Sequence, residues 1–203
     1  MSIQSQSPSH QPTRRRLLVG AVALALAAAL GACSSVADKV EQAADGALPS
    51  TAGRARLAEH PLSEDLAALA EKVGTDDLRV FDVTITEATF TASVQDPAKP
   101  ENVDAYSLDG DGSWGAPAPV ELIGSGDLEA NLFSVADVAW DEVDALADQA
   151  LVDLALEGAE ISTILVKMAL SGEVEISVHV DGTRVDGQLR ARADGTVIEA
   201  TES

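Results

Sequence analysis

Apolar positions from Pro61 onward recur in two periods, and the same succession of periods occurs twice. Leu62, Leu66, Leu69 and Val73 stand four, three and four apart, which is one stripe of a helix, and Gly74 ends it. Val80 to Thr86 then alternates, with Phe81, Val83 and Ile85 on one face, as a strand requires. Ala88 to Val94 alternates through Phe90, Ala92 and Val94. Val103 to Leu108 leads into Asp109-Gly110-Asp111-Gly112, which is turn chemistry. The second pass begins at Ser134, a good N-cap. Val135, Ala139, Val143, Leu146, Ala150 and Leu154 follow at helical spacing, up to Gly158. Ile161 to Leu170 is apolar and β-branched. Val174, Ile176, Val178 and Val180 alternate with Glu175, Ser177 and His179, a strand with one wet face. Asp181-Gly182 predicts a hairpin into Val185 and Leu189 to Ala193, and Asp194-Gly195 a turn into Thr196 to Ala200.

The two passes superpose at an offset of 83 residues, which sets Asp111-Gly112 on Asp194-Gly195, Val80 on Thr163 and Leu69 on Val152. The expected fold is α+β: two helices packed on one antiparallel sheet, built from a duplicated α-β-β-β unit. The repeats span 61–120 and 134–203 and form one domain, 61–203. Helix followed by strands and a strand-Asp-Gly-strand ending resembles tandem PepSY-like modules, or the fold of proteinaceous β-lactamase inhibitors. That resemblance implies a non-catalytic binding or inhibitory module of the cell envelope.

Ahead of this domain the pattern changes. Residues 1–13 are polar, Arg14, Arg15 and Arg16 follow, and Leu17 to Ala32 is uncharged and apolar. Charged, apolar and small-residue segments in that order make a secretory signal peptide. The apolar run is shorter than the ~20 residues of a membrane span. It ends in Leu30-Gly31-Ala32-Cys33, which resembles the lipobox of bacterial lipoproteins. The resemblance implies removal of residues 1–32, a diacylglycerol on Cys33 and, with a further fatty acid such as palmitate, a lipid anchor at the extracytoplasmic face of the cell membrane. The alternative is an ordinary signal peptide that happens to contain a Cys. Cys33 is the chain's sole cysteine, so no internal disulfide can form. Thr13-Arg14-Arg15-Arg16-Leu17-Leu18 also resembles the twin-arginine export signal, against the plain basic region of any signal peptide. Residues 33–60 read as a flexible tether: Val36 to Ala43 could make two helical turns, then Gly46, Pro49 and Gly53 interrupt regular structure.

Charge narrows the partners. The leader holds three of the 13 basic residues and none of the 34 acids, so the mature chain sets 10 bases against 34 acids, a net charge of −24. Such a surface repels phosphate backbones, which excludes nucleic acid as a partner, and points to basic proteins or cations. Much Ala, Asp and Val with few Lys is also the habit of a GC-rich genome. With the lipobox, the chain resembles an actinobacterial lipoprotein.

The candidate contact residues are Asp137, Asp141, Asp144 and Asp148, spaced four, three and four on the second predicted helix, and Trp114 after the Gly112 turn. The acids form either a ridge for a basic envelope protein or an ordinary solvated face. Trp114 and Trp140 are core or sheet-edge aromatics unless exposed, in which case they become contact anchors. Ser107, Asp109, Asp111 and Gly112 fit the start of an EF-hand loop, but the twelfth position is Ala118, so the run is better read as a turn. Of the three histidines, His10 lies in the leader, His60 in the tether and His179 on a strand. No metal cluster, catalytic triad or phosphate loop is visible, and no cofactor is implied. The expectation is a membrane-anchored adaptor or binding module without catalysis. The alternative is a lipid or glycolipid carrier with an apolar cavity between helices and sheet. An enzyme would show acids of raised pKa in a cleft.

Overall fold

Strands form where the apolar period is two; hairpins join neighbours such as β1–β2 and β6–β7, and the β1–β6 pairing joins the two halves into one sheet. The computed structural model describes residues 60–122 and 126–203. The leader, the lipobox and the rest of the tether lie outside the described residues. Helix α1 (Leu62–Val73) is followed by β1 (Arg79–Thr86), β2 (Phe90–Gln95), β3 (Val103–Ser107), β4 (Ala118–Pro119) and β5 (Phe133–Ser134). Helix α2 (Val143–Leu154) precedes β6 (Glu160–Met168), β7 (Val174–Asp181), β8 (Gly187–Arg192) and β9 (Val197–Glu202). The sheet runs β4-β3-β2-β1-β6-β7-β8-β9, every pairing antiparallel, and β5 adds to β1 alongside β6. The fold is therefore α+β, with two helices on an antiparallel sheet.

One row across the sheet shows why one face is buried. Tyr106, Ala92, Val83, Val166, Ile176, Ala191 and Val197 are successive partners on seven strands. All but Val197 are buried. The next row, on the opposite face, reads Ser107, Thr91, Thr84, Leu165, Ser177, Arg190 and Glu199. Side chains alternate faces along a strand, so a one-residue slip would exchange these rows and bury the charges. Register is thereby fixed by the hydrophobic pattern. Leu66 and Leu69 of α1 and Val143, Leu146, Ala147 and Ala150 of α2 close over the apolar row in one cluster. Small residues set the spacing of this layer. A Cβ on Gly187 would stand 2.9 Å from the Leu154 side chain and 3.2 Å from the Thr201 carbonyl. The last turn of α2 thus rests directly on β8.

Several strand pairings of the second half correspond to pairings of the first, although not at one constant offset. Leu62, Leu66 and Leu69 of α1 share their buried phase with Val143, Ala147 and Ala150, an offset of 81. The pairs Val80–Val94 and Asp82–Ser93, which flank a bulge in β1, match Ile161–Val180 and Thr163–His179, which flank one in β6. Thr91–Ser107 matches Ser177–Arg190, and Ala105–Ala118 matches Gln188–Thr201. The Asp-Gly turns agree bond for bond. Gly112 (φ +85°) and Gly195 (φ +83°) donate to the carbonyls of Asp109 and Arg192, while Asp111 and Asp194 accept from the amides of Ser113 and Thr196. Those turns sit 83 apart, the offset of the sequence superposition. It fails at the helices: Val152, set on the buried Leu69, is 74 % exposed.

Three further expectations are corrected. The β1 bulge puts Val80 on the core face in place of Phe81, which is half-buried. Helix α2 starts at Val143 and not after Ser134. Ser134 instead caps a 3-10 turn over Val135–Asp137, and a second turn spans Trp140–Glu142. Tertiary bonds override the helical spacing here. Ala139 donates its amide to the Ala193 carbonyl, and the Trp140 indole donates to the Val135 carbonyl at 2.7 Å. Both tie the segment down in a shape no helix has. Finally, α2 ends at Leu154, and Ala155, not Gly158, takes the left-handed position with φ +47°. A Cβ in that region costs about 1 kcal/mol, which glycine avoids. Ala155→Gly is expected to raise the unfolding free energy by about 0.5–1 kcal/mol, read from urea melts.

Candidate functional site

Asp137, Asp141, Asp144 and Asp148 are all exposed, but the structure does not line them up on one helix. Asp137 lies in the turn of Val135–Asp137 and Asp141 in that of Trp140–Glu142, while Asp144 and Asp148 belong to α2. Asp141 accepts a hydrogen bond from Ser63 Oγ of α1 at 2.8 Å, so it pins the two helical segments together. The expected four-residue ridge is therefore a broken acidic surface. Its cause is the same Val138–Ala139 interruption that shortens α2.

Trp114 is withdrawn from the contact residues. It is 5 % exposed, meets Phe90 edge to face (centroids 5.0 Å apart, planes at 70°), and donates its indole N–H to the Asp65 carbonyl at 2.8 Å. It locks the loop after β3 onto α1. Trp140 is equally buried. Asp109 and Asp111 hold a turn, as expected, and no group of His, Cys, Asp or Glu suited to a metal ion occurs among the described residues. Cys33, Leu30, Gly31 and Ala32 lie outside the described residues. Among the described residues no helix is long and apolar enough to cross a membrane.

The sheet face opposite the helices carries what the sequence alone did not single out. Glu175 on β7 and Glu199 on β9 flank Arg190 on β8. The guanidinium reaches Glu175 through Nε (2.9 Å) and Nη2, and Glu199 through Nη1. Ser177 Oγ also donates to Glu175. These partners, Arg190 first, hold the Glu175 carboxyl below the usual carboxylate range. A depressed carboxyl pKa adds stability above the unfolded value of about 4.3, and that stability is lost as pH falls through the lower folded value. Arg190→Gln is therefore expected to flatten the decline in melting temperature below about pH 4, measured on variant and parent together. Lys167 and Arg192 flank the clamp on the same face, paired in register with Asp82 and Glu175. Asp82 runs the opposite way: burial raises its pKa against the Ser93 hydrogen bond and the Lys167 charge. It sits in the sheet ladder and lines neither of the clefts described next.

Two of the clefts among the described residues bear on function. One, of about 450 Å³, is polar and lies over the ends of β6–β9, where Thr163, His179, Gln188 and Thr201 stand in one row. The other, of about 640 Å³, lies beside α1 and is open to solvent. Leu66, Ala67 and Ala70 form one wall, Val135, Val138 and Trp140 the other, and Leu78 lies between. Glu71 and Asp76 stand at its rim. The cleft thus lies between α1 and the segment over residues 135–140.

No family model and no curated protein matches the chain. A solved structure from Clostridium difficile 630, described as a "putative lipoprotein", is similar over 70% of this chain and 93% of its own, at 10% identity and a TM-score of 0.47.

Proposed function

We propose that the chain is an exported lipoprotein, anchored by lipid on Cys33 to the outer face of the cell membrane, whose domain binds other envelope components without catalysis. The observation that carries this is the sole cysteine, placed after Leu30-Gly31-Ala32 at the end of an apolar run headed by Arg14–Arg16. Two acyl chains suffice for stable anchoring, where one does not. The repeated strand ladder supports a duplicated α-β-β-β unit, of the kind seen in tandem PepSY-like modules. Such a duplicated sheet offers a broad surface in place of an enclosed active site. The charge of the mature chain suits a basic protein as partner, with the exposed Asp137, Asp144 and Asp148 among the contacts.

Native mass spectrometry of the protein extracted from its own membrane in mild detergent tests this reading. A co-purifying protein that leaves on denaturation is the expected result. A retained lipid would favour the carrier reading, and turnover of a substrate by the domain, abolished by a point substitution, would overturn the non-catalytic one.

A further inference from the structure

Charges on the sheet face opposite the helices alternate in sign from strand to strand. Asp82 on β1 is paired in register with Lys167 on β6, Lys167 with Glu175 on β7, and Glu175 with Arg192 on β8. Arg190, two residues along β8, is paired with Glu199 on β9. Each cation stands directly across from an anion, the arrangement in which cross-strand charges stabilise a sheet. The series ends at Glu199, on the edge strand. Its carboxylate accepts from Arg190 Nη1, and its side chain remains exposed. A carboxylate has room for further donors beside one such bond.

The β9 backbone is equally open. At the far edge of the sheet, β4 is two residues long and ends in Pro119, which has no amide to offer. Strand β9 is six residues long, without Pro, Lys or Arg, and residues 198–202 are all exposed. Among the described residues no strand pairs with its outer side. The Ser203 amide donates to the Asp186 carbonyl, toward β8. Amide direction alternates along an antiparallel strand, so the amides and carbonyls of Ala200 and Glu202 point outward.

We propose that β9 takes up an extended segment of a basic envelope protein as an added strand, hydrogen-bonded to Ala200 and Glu202, with a Lys or Arg of that segment across from Glu199. Strand addition of this kind draws affinity from the main chain and specificity from the side chains that alternate along it. The sign series supplies that specificity, because the next charge outward from Glu199 is a cation. A second copy of the chain does not bring one, since β9 holds two acids and no base. This docking deepens the reading of a basic protein partner, on which it rests, by naming the edge and the conformation in which that partner binds. It does not depend on the lipid anchor.

Two synthetic peptides, added to the full chain in mild detergent, test it: Thr-Val-Thr-Lys-Thr-Val-Thr, and the same sequence with Glu in place of Lys. The Lys peptide is expected to bind about fivefold more tightly than the Glu peptide at physiological salt. At saturation it is expected to slow hydrogen exchange of the Ala200 and Glu202 amides by about tenfold. Glu199→Gln is expected to erase the preference, and Glu202→Gln, on the other face of β9, to keep it. Both side chains are exposed, so neither substitution disturbs the core. The docking is overturned if the Lys peptide slows neither amide, or if the preference survives Glu199→Gln. A basic protein found on the chain by native mass spectrometry beside that result would leave the partner reading standing and remove only β9 as its site. Slow exchange of both amides without peptide, lost on dilution through the micromolar range, would also overturn it and assign the edge to a second copy.

Discussion

Trp114→Ala is expected to lower the unfolding free energy by about 4 kcal/mol, with a fall in melting temperature on the order of 10 °C. Three losses combine. The buried indole leaves a cavity beside Phe90, which loses its edge-to-face partner. The Asp65 carbonyl loses the indole N–H. The loop after β3, whose turn is already closed by Gly112 and Asp111, loses its link to α1. Trp114→Phe separates these contributions. It keeps most of the ring contact and removes only the hydrogen bond, which is worth about 1 kcal/mol with its buried acceptor. Denaturant melts of both variants would show it. Equal losses for the two would mean that the hydrogen bond dominates and the ring packing contributes little.

Cys33→Ser is expected to move the protein from the membrane fraction to the soluble exported fraction almost completely. Each buried methylene contributes about 0.8 kcal/mol of membrane affinity, and two acyl chains bring some thirty of them. No helix among the described residues can substitute as a span. The melting temperature of the domain is expected to stay within a degree of the parent, because the domain begins near Pro61, well beyond residue 33. Fractionation and thermal melts on the same preparations check both halves. A variant that stays in the membrane would mean that something other than the thioether lipid holds the chain there.

Most of the strands were legible because alternation is a direct imprint of a half-buried sheet, and the row from Tyr106 to Ala191 shows the imprint intact. The two Asp-Gly turns were legible for a similar reason, since a left-handed Gly and an Asx bond are local chemistry. The start of α2 was not. Val135, Ala139 and Val143 fall at helical spacing, yet Ala139 is spent on a backbone bond to Ala193, a partner far away in sequence. The superposition of the halves shows a subtler effect. Matching strand pairs places β2 and β7 86 apart and β3 and β8 83 apart. Five extra residues around the β6–β7 hairpin and three fewer before β8 thus restore the offset at the turns while hiding the one at the helices. A single offset could find the turns and still pair Leu69 with a surface valine.

The sheet face opposite the helices was the least legible part. Glu175, Arg190 and Glu199 sit on three strands, and only the register brings them together. The Asp181-Gly182 turn hints at that register, because β7 and β8 pair outward from it, from Val180–Gly187 to Glu175–Arg192. The acidic ridge failed for the converse reason. Four carboxylates at helical spacing make a face only if the backbone between them is one helix.

Intact-mass spectrometry of the protein purified from its own membrane tests the lipid anchor most directly. The predicted result is a chain that begins at Cys33 and carries the added mass of a diacylglyceryl group on the Cys33 fragment. A chain cut at another residue, or an unmodified Cys33 thiol, would contradict it.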